Sequence, residues 1–434
     1  MRPIDGDSIL LRGGRVLDPA TGFDATADVL LRGGVVTEIR TSPIREAVAA
    51  TLDVDGCLVT PGLIDPHVHL REPGAEHKET IRSGATAAIA GGFTSVCCMP
   101  NTTPALDLPS LVDFVHVRAR EAAAARVFCV GAATVGRKGE ALSPMGAMAR
   151  AGAVGFSDDG DCVASAAVMR RVLLTCRSID RPFMQHCQEP TLTEGATMNA
   201  GQVAARLGVG GWPAVAEEMI IERDLRLNRA IGCAYHVQHV SSGDSVEILR
   251  RARADGVTAS CEASPHHLLL TEDACEGWNT QAKMNPPLRT SADVEALRRG
   301  VADGTITILA TDHAPHTSSE KGRDFAAAPF GIIGLECALA LYAEALVETG
   351  AIDWPRMVAL LTIQPARLCG LDAQGLGTLR PGGPADVTVI DPRMEWTIDT
   401  SRFHSLSRNC PFDGRRVRGR ATFASAAGRA FQLA

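Results

Sequence analysis

Short apolar runs, six or seven residues long, recur through the middle of the chain, separated by longer stretches of mixed polarity. They are "LIDPHVH" (63–69), "FTSVCCM" (93–99), "RVFCVG" (126–131), "AVGFSD" (153–158), "PFMQHC" (182–187), "AYHVQHV" (234–240), "VTASCEA" (257–263) and "TITILAT" (305–311). Each has the length of a buried strand. Between them lie alanine-rich stretches of helical character, such as "ETIRSGATAAIAGG" and the segment around 291–304. Eight strands alternating with helices predict an α/β fold, a closed (β/α)8 TIM-like barrel. A doubly wound open sheet is the rival, but no GxGxxG follows the first strand. "LGVGGWP" (207–213) is glycine-rich, follows a helical pattern, and reads as a loop.

The two ends of the chain carry a different pattern, β-rich with short turns. "SILLRGGRVLDP", "ADVLLRGGVVTEI" and "ATLDVDGCLVTPG" near the start resemble "GTLRPGGPADVTVIDP" and "RRVRGRATFASAAGRAF" near the end. Residues 1–60 and 375–434 are therefore expected to pair as one small β-sandwich domain, with the barrel, 61–374, inserted between them.

Composition narrows the class. With 434 residues, 45% of them hydrophobic and 21% charged, the chain can bury a sizeable core. A net charge of -7 argues against nucleic acid or an anionic membrane as partner. No apolar run approaches a bilayer span. The start, "MRPIDGDSILLRGG", lacks the basic-then-apolar order of a signal peptide, so a cytoplasmic protein is expected. The thirteen cysteines include no CxxC pair, are odd in number, and sit mostly in apolar stretches. They read as reduced, buried thiols, with Cys97 and Cys98 on opposite faces of one strand.

In such barrels the chemistry sits at the C-terminal ends of the strands. The first strand ends with His67 and His69, which share a face because strand side chains alternate. The fourth ends at Asp158 and Asp159, the fifth at His186, the sixth at His239, and the eighth runs into Asp312. Taken singly these are ordinary: HxH pairs occur without metal, and "FSDDG" reads as a turn. His236 and His239 are three apart and face opposite ways; His239 is nearer the strand end, so His236 reads as packing or support. His77, His116 and His404 lie away from the strand ends. The convergence of imidazoles and carboxylates, without cysteine, points to zinc or a similar divalent ion in a hydrolytic site.

These motifs also carry a resemblance. "PGLIDPHVHLREPG", "GGFTSVCCMPNT", "GFSDDG", "MQHCQE", "HVQHVS", "NPPLR", "ATDHAPH" and "PFGIIGLE" occur in the order seen in the amidohydrolase superfamily, and within it the chain resembles the type I dihydroorotases. The resemblance implies zinc-dependent, reversible cyclisation of N-carbamoyl-L-aspartate to L-dihydroorotate in pyrimidine synthesis. It implies that His67 and His69 bind one zinc and His186 and His239 a second, with Asp159 bridging and Asp312 as ligand and proton carrier. One or two ions are compatible with it, because the lysine that bridges metals in many relatives is absent and Asp159 takes its place. "HCQE" stands where "HCED" is usual, and Ser157 where threonine is common; neither removes a ligand.

A divalent ion lowers the pKa of water from near 16 to ~7 and polarises a carbonyl. By the same resemblance, Asp312 beside it is expected to accept the proton and pass it to the leaving nitrogen. The resemblance assigns the substrate carboxylate to Arg71, Asn101 and His316, the ring to Asn285 and the Phe330–Gly331 backbone, and a further substrate contact to His69. Arg71 shares the face of His69 if the strand continues that far, and its planar fork matches a carboxylate. The plain alternatives are an ion pair of Arg71 with Glu72 or Glu79, and Asn101 as a turn residue. Rival functions are a hydantoinase, dihydropyrimidinase or allantoinase, a non-catalytic scaffold for aspartate transcarbamoylase, and a metal-binding protein without catalysis. The expected partner is the small-molecule substrate; a homo-oligomer and an aspartate transcarbamoylase complex both remain open.

Overall fold

The structure is a computed structural model that describes residues 1–433. Eight parallel strands pair in chain order: β1 (Leu63–Val68), β2 (Phe93–Cys98), β3 (Arg126–Ala132), β4 (Ala153–Ser157), β5 (Phe183–Gln185), β6 (Tyr235–Val237), β7 (Ala259–Ala263) and β8 (Ile308–Leu309). Past β8, His313 forms a parallel bridge with Val68 and accepts a hydrogen bond from the His69 amide at 2.9 Å, which brings the last strand back to the first. The chain is a (β/α)8 barrel.

Alternation along the strands explains the two-layered core. Leu63, Val96, Cys98, Cys129, Ala153 and Phe183 face outward and pack with the helical shell. Ile64, Cys97, Val130, Val154 and Met184 face inward and fill the barrel floor with Ala366, Cys369 and Leu371 from beneath. Cys97 and Cys98 thus lie on opposite faces, and all thirteen cysteines are free thiols.

One irregularity decides where the first two histidines point. Asp65 pairs with Val96 but Val68 pairs with Cys98, so β1 carries one extra residue against β2. Without it Ile64, Pro66 and Val68 would share the inner face; with it Val68 turns outward and His67 and His69 turn in. Pro66 suits the bulge because it has no N–H to leave unpaired. The buried Asp65 carboxylate accepts the amides of His67 (3.0 Å) and Thr311 (3.2 Å), so the disrupted ladder keeps its hydrogen bonds.

Each of the eight expected strands is present, and several are shorter than their apolar runs. β5, β6 and β8 stop before His186, His239 and Asp312. His239 (φ 29°) and Asp312 (φ 49°) have left-handed backbones, which ends the ladder where the side chains turn to the barrel mouth. "LGVGGWP" differs from its reading as a loop. It follows the short helix Gln202–Leu207, and Gly211–Trp212 pairs with Met198–Asn199. A Cβ on Gly211 would lie 2.8 Å from the Ala200 backbone, so glycine permits this pairing.

Strands from both chain ends form a single nine-stranded sheet. Leu58–Pro61 lies at its centre, parallel to Ser8–Asp18 and antiparallel to Val387–Thr397. Leu11, Val16, Val29, Val59, Val387, Val389 and Phe423 form its core. Arg126 of β3 pairs with Asp386 through two hydrogen bonds of 2.8 and 3.0 Å and ties this sheet to the barrel. Among the described residues, no helix is long and apolar enough to cross a membrane.

Candidate active site

At the C-terminal mouth of the barrel, His67, His69, Asp159, His186, His239 and Asp312 come together from five strand ends, all buried. His67 Nε2 lies 3.3 Å from Asp159 Oδ1 and 3.5 Å from Asp312 Oδ1. His69 Nε2 is 2.9 Å from Asp312 Oδ1, and His186 Nδ1 is 2.9 Å from His239 Nε2. Asp159 sits between the two histidine pairs, its Oδ1 3.7 Å from His186 and 3.9 Å from His239, its Oδ2 3.6 Å from His69. Asp158, the other acid of that turn, faces away and accepts the Ala133 and Thr134 amides, each at 3.0 Å.

The donor set fits a divalent cation. His67 with Asp159 and His239, and His67 with His69 and Asp312, each bring their ligand atoms within 4.8 Å of one another. His67 is common to both groups, and its buried Nε2 has no hydrogen-bond partner among the described residues. The electrostatics agree. Burial disfavours charge on His67, yet Asp312, Glu262 and Asp159 together push its pKa well above the imidazole range. Burial likewise opposes charge on Asp159, yet His67, His69 and His186 hold it well below the carboxylate range. A cavity that favours positive charge at its centre this strongly favours a metal ion there.

Above the cluster opens a cavity of about 280 Å³, whose wall carries Arg71, Asn101, Asn285, His316, Phe330 and Gly331. Its volume suits one small ring. Arg71 reaches it by a route the strand pattern does not give. β1 ends at Val68, and Arg71 has a left-handed backbone (φ 59°), so it enters from the turn that follows. Its Nε donates to the Pro315 carbonyl at 3.1 Å, and its Nη2 lies 3.3 Å from His316 Nε2. Burial pushes Arg71 down to about 10, so it is cationic at neutral pH. Burial, Arg71 and Lys78 push His316 down to about 2; it is neutral and accepts from Arg71. Neither Glu72 nor Glu79 pairs with Arg71: Glu72 accepts from Arg118 at 2.6 Å, and Glu79 bonds Ser405.

Asn101 touches the donor cluster directly. Its Oδ1 lies 2.9 Å from His69 Nδ1, and its amide donates to Asp159 at 3.2 Å. Asn285 donates to Gln188 at 3.2 Å and keeps a buried Oδ1 without a partner among the described residues. Gly331 has φ 148°, and a Cβ there would lie 2.6 Å from the Ala314 carbonyl oxygen, so only glycine lets this wall approach His316.

Known proteins give the site its context. A family model described as Dihydro-orotase-like matches residues 56–245. The dihydroorotase of Syntrophotalea carbinolica is 48% identical over 413 residues, 95% of this chain and 96% of that protein. The dihydroorotase of Geobacter sp. (strain M21) is 44% identical over 416 residues, 96% of this chain and 97% of that protein. The chain belongs to the dihydroorotase family. Among solved structures, the L-hydantoinase of Arthrobacter aurescens superposes with a TM-score of 0.85 at 24% identity, covering 97% of this chain and 95% of that one. The dihydropyrimidinase of Brevibacillus agri NCHU1002 gives 0.83 at 23% identity, covering 97% and 94%. At these identities the likeness is one of fold.

In this dihydroorotase-family chain the structure adds residues that the motifs do not mark. Glu262 of β7 accepts the Nδ1–H of His67 at 2.5 Å and contacts His236 Nε2 at 3.0 Å. Burial opposes its charge, but His67 and His236 bring it down to about 2, so it is an anion that fixes the His67 tautomer with Nε2 toward the cluster. Its one signal in the sequence is a carboxylate inside the apolar run "VTASCEA". Gln188 lies 3.0 Å from His186 Nε2 and also receives Asn285, so the departure from "HCED" falls on a residue in contact with the site. Replacing Glu262 by Gln is expected to weaken metal retention about 10- to 100-fold. Competition dialysis against a chelator, with metal analysis, measures this; parental affinity would remove the orienting role.

Proposed function

We propose that the chain is a dihydroorotase that interconverts L-dihydroorotate and N-carbamoyl-L-aspartate with one or two zinc ions. The observation that carries this reading is an arginine, Arg71, without a carboxylate partner among the described residues, facing a His/Asp donor cluster across a one-ring cavity. Hydantoin and dihydrouracil carry no acid group for such an arginine to meet. The fold likeness to hydantoinases does not supply a reason for Arg71 either.

His67 and His69 would hold one ion and His186 and His239 a second, with Asp159 between them and Asp312 beside the first pair. When bound, a divalent ion polarises the ring carbonyl and makes hydroxide available at neutral pH. The chain's own groups do the rest. Arg71, with His316, Asn101 and His69 around it, fixes the substrate carboxylate and so the ring's orientation. Asn285 offers its unpartnered Oδ1 to a ring N–H, and Phe330 and the Gly331 backbone cover the ring. As water oxygen joins the carbonyl carbon and the C–N bond breaks, Asp312 takes the proton from the water and delivers it to the nitrogen; ring closure reverses each transfer. The reducing cytoplasm suits a chain whose thirteen cysteines are all free thiols.

Purified protein, analysed for metal and assayed with dihydroorotate, hydantoin and dihydrouracil, tests this reading. Zinc at one or two ions per chain is expected, with kcat/KM for dihydroorotate at least about tenfold above either uncharged ring. Faster turnover of hydantoin would overturn it.

A further inference from the structure

Two lysines are buried beside the cavity without lining it: Lys283, 2% exposed, and Lys321, 1% exposed. Neither has a carboxylate partner among the described residues. Instead, each ammonium is surrounded by three backbone carbonyls. Lys283 Nζ donates to the carbonyls of Phe325 (2.6 Å), Ala326 (3.1 Å) and Ala328 (2.7 Å). Lys321 Nζ donates to those of Thr280 (2.8 Å), Lys283 (3.2 Å) and Pro329 (3.0 Å).

Three carbonyls match the three donors of –NH3⁺, whereas a neutral amine would turn its lone pair toward one of them. Burial pushes Lys283 down to about 8, and burial with the neighbouring Lys283 ammonium pushes Lys321 down to about 7; three carbonyl oxygens around each nitrogen favour the protonated form. Residues 322–331 form no helix or strand of their own, so their inward carbonyls depend on such donors. The Lys283 ammonium also lies 4.6 Å from the Phe330 ring centroid, and the Lys283 carbonyl accepts the Gly331 amide at 3.0 Å.

The same wall is held from its other side by the C-terminal part of the chain. Asn409 Nδ2 donates to the carbonyls of Ala314 (2.9 Å) and Gly331 (3.0 Å), and its Oδ1 accepts the His316 amide at 3.0 Å. One buried side chain thus sets the spacing between His316 and Gly331.

We propose that Lys283, Lys321 and Asn409 are positioning residues that hold 325–331 as a fixed wall, so that Phe330 and Gly331 meet the substrate ring without a closing step. This rests on the dihydroorotase reading, in which that wall covers the ring. The preorganised wall lowers the ordering cost of binding, and its loss falls mainly on KM.

The test uses the full chain with Lys283→Met and Lys321→Met, which keep a flexible apolar stem and remove the ammonium. KM for dihydroorotate is expected to rise at least about tenfold, while kcat falls less than about threefold. Amide hydrogen exchange across 322–331 is expected to quicken at least about tenfold while β1–β4 keep their protection. Asn409→Ser, which loses the amide donors, gives the same pattern from the opposite side and is decisive where a lysine variant does not fold. Folded variants with parental KM and parental exchange overturn the proposal, as does faster exchange spread evenly over the barrel. A parent protein inert toward dihydroorotate overturns the functional reading instead, and the exchange data alone then decide whether these residues hold the wall.

Discussion

Asp312→Asn is expected to lower kcat by at least about a thousandfold while leaving the fold in place. The reasoning is local. Asp312 Oδ1 lies 2.9 Å from His69 and 3.5 Å from His67, so this oxygen belongs to the donor cluster. The other oxygen has no protein donor among the described residues, and the side chain borders the cavity. Its left-handed backbone (φ 49°) puts it there, next to the bridge that closes the barrel between Val68 and His313. A carboxylate so placed can receive a proton from water on one side and release it to a ring nitrogen on the other. Asparagine has nearly the same shape and cannot carry that proton. Metal analysis separates the two roles of the residue, because His67, His69 and Asp159 remain in the variant. Loss of turnover with metal retained assigns the proton transfer to Asp312; turnover lost only in proportion to metal makes it a ligand alone. More than about a tenth of the parental kcat in the metal-loaded variant would remove the assignment.

The barrel was legible because its strands are apolar, short and regularly spaced, and periodicity is a property of the chain itself. His67 and His69 were legible as a pair for the same reason. Their inward direction was not: it depends on the extra residue that turns Val68 out, which shows only in the pairing of β1 with β2. Likewise the left-handed turn that aims Arg71 at the cavity lies beyond the reach of strand alternation. Glu262 and Asn409 were missed for a different reason. Each works through contacts with residues more than 75 positions away in sequence, Glu262 with His67 and Asn409 with Ala314, Gly331 and His316. A solitary Glu in a strand or Asn near the chain end has no local pattern to announce it.

These long-range contacts divide the mouth into a chemical half and a recognition half. Glu262, Gln188 and Asn101 brace the histidines of the donor cluster, whereas Lys283, Lys321 and Asn409 brace the opposite wall. Arg71 belongs to neither brace. Its guanidinium is anchored through one backbone carbonyl and one neutral imidazole, which orient the fork without neutralising it. Changes in the chemical half should therefore appear in kcat and metal content, and changes in the recognition half in KM.

Arg71→Met is the sharpest probe of that division. KM for dihydroorotate is expected to rise about 100-fold, since a partly desolvated carboxylate loses a charge-assisted fork. That corresponds to about 2.7 kcal/mol, within the range for removing one partner of a buried charge pair. kcat is expected to change by less than about threefold, because the ring, once bound, still meets Asp312 and the histidines. An uncharged cyclic imide serves as the control: it has no carboxylate to lose, so its kcat/KM is expected to stay within about threefold of the parent value. Arg71→Lys adds a second control, since a lysine restores charge without the planar fork and is expected to recover only part of the loss. If both substrates suffer equally, Arg71 supports the turn it sits in through Pro315 and His316 rather than reading the acid group, and the case for dihydroorotate over an uncharged ring loses its main physical support.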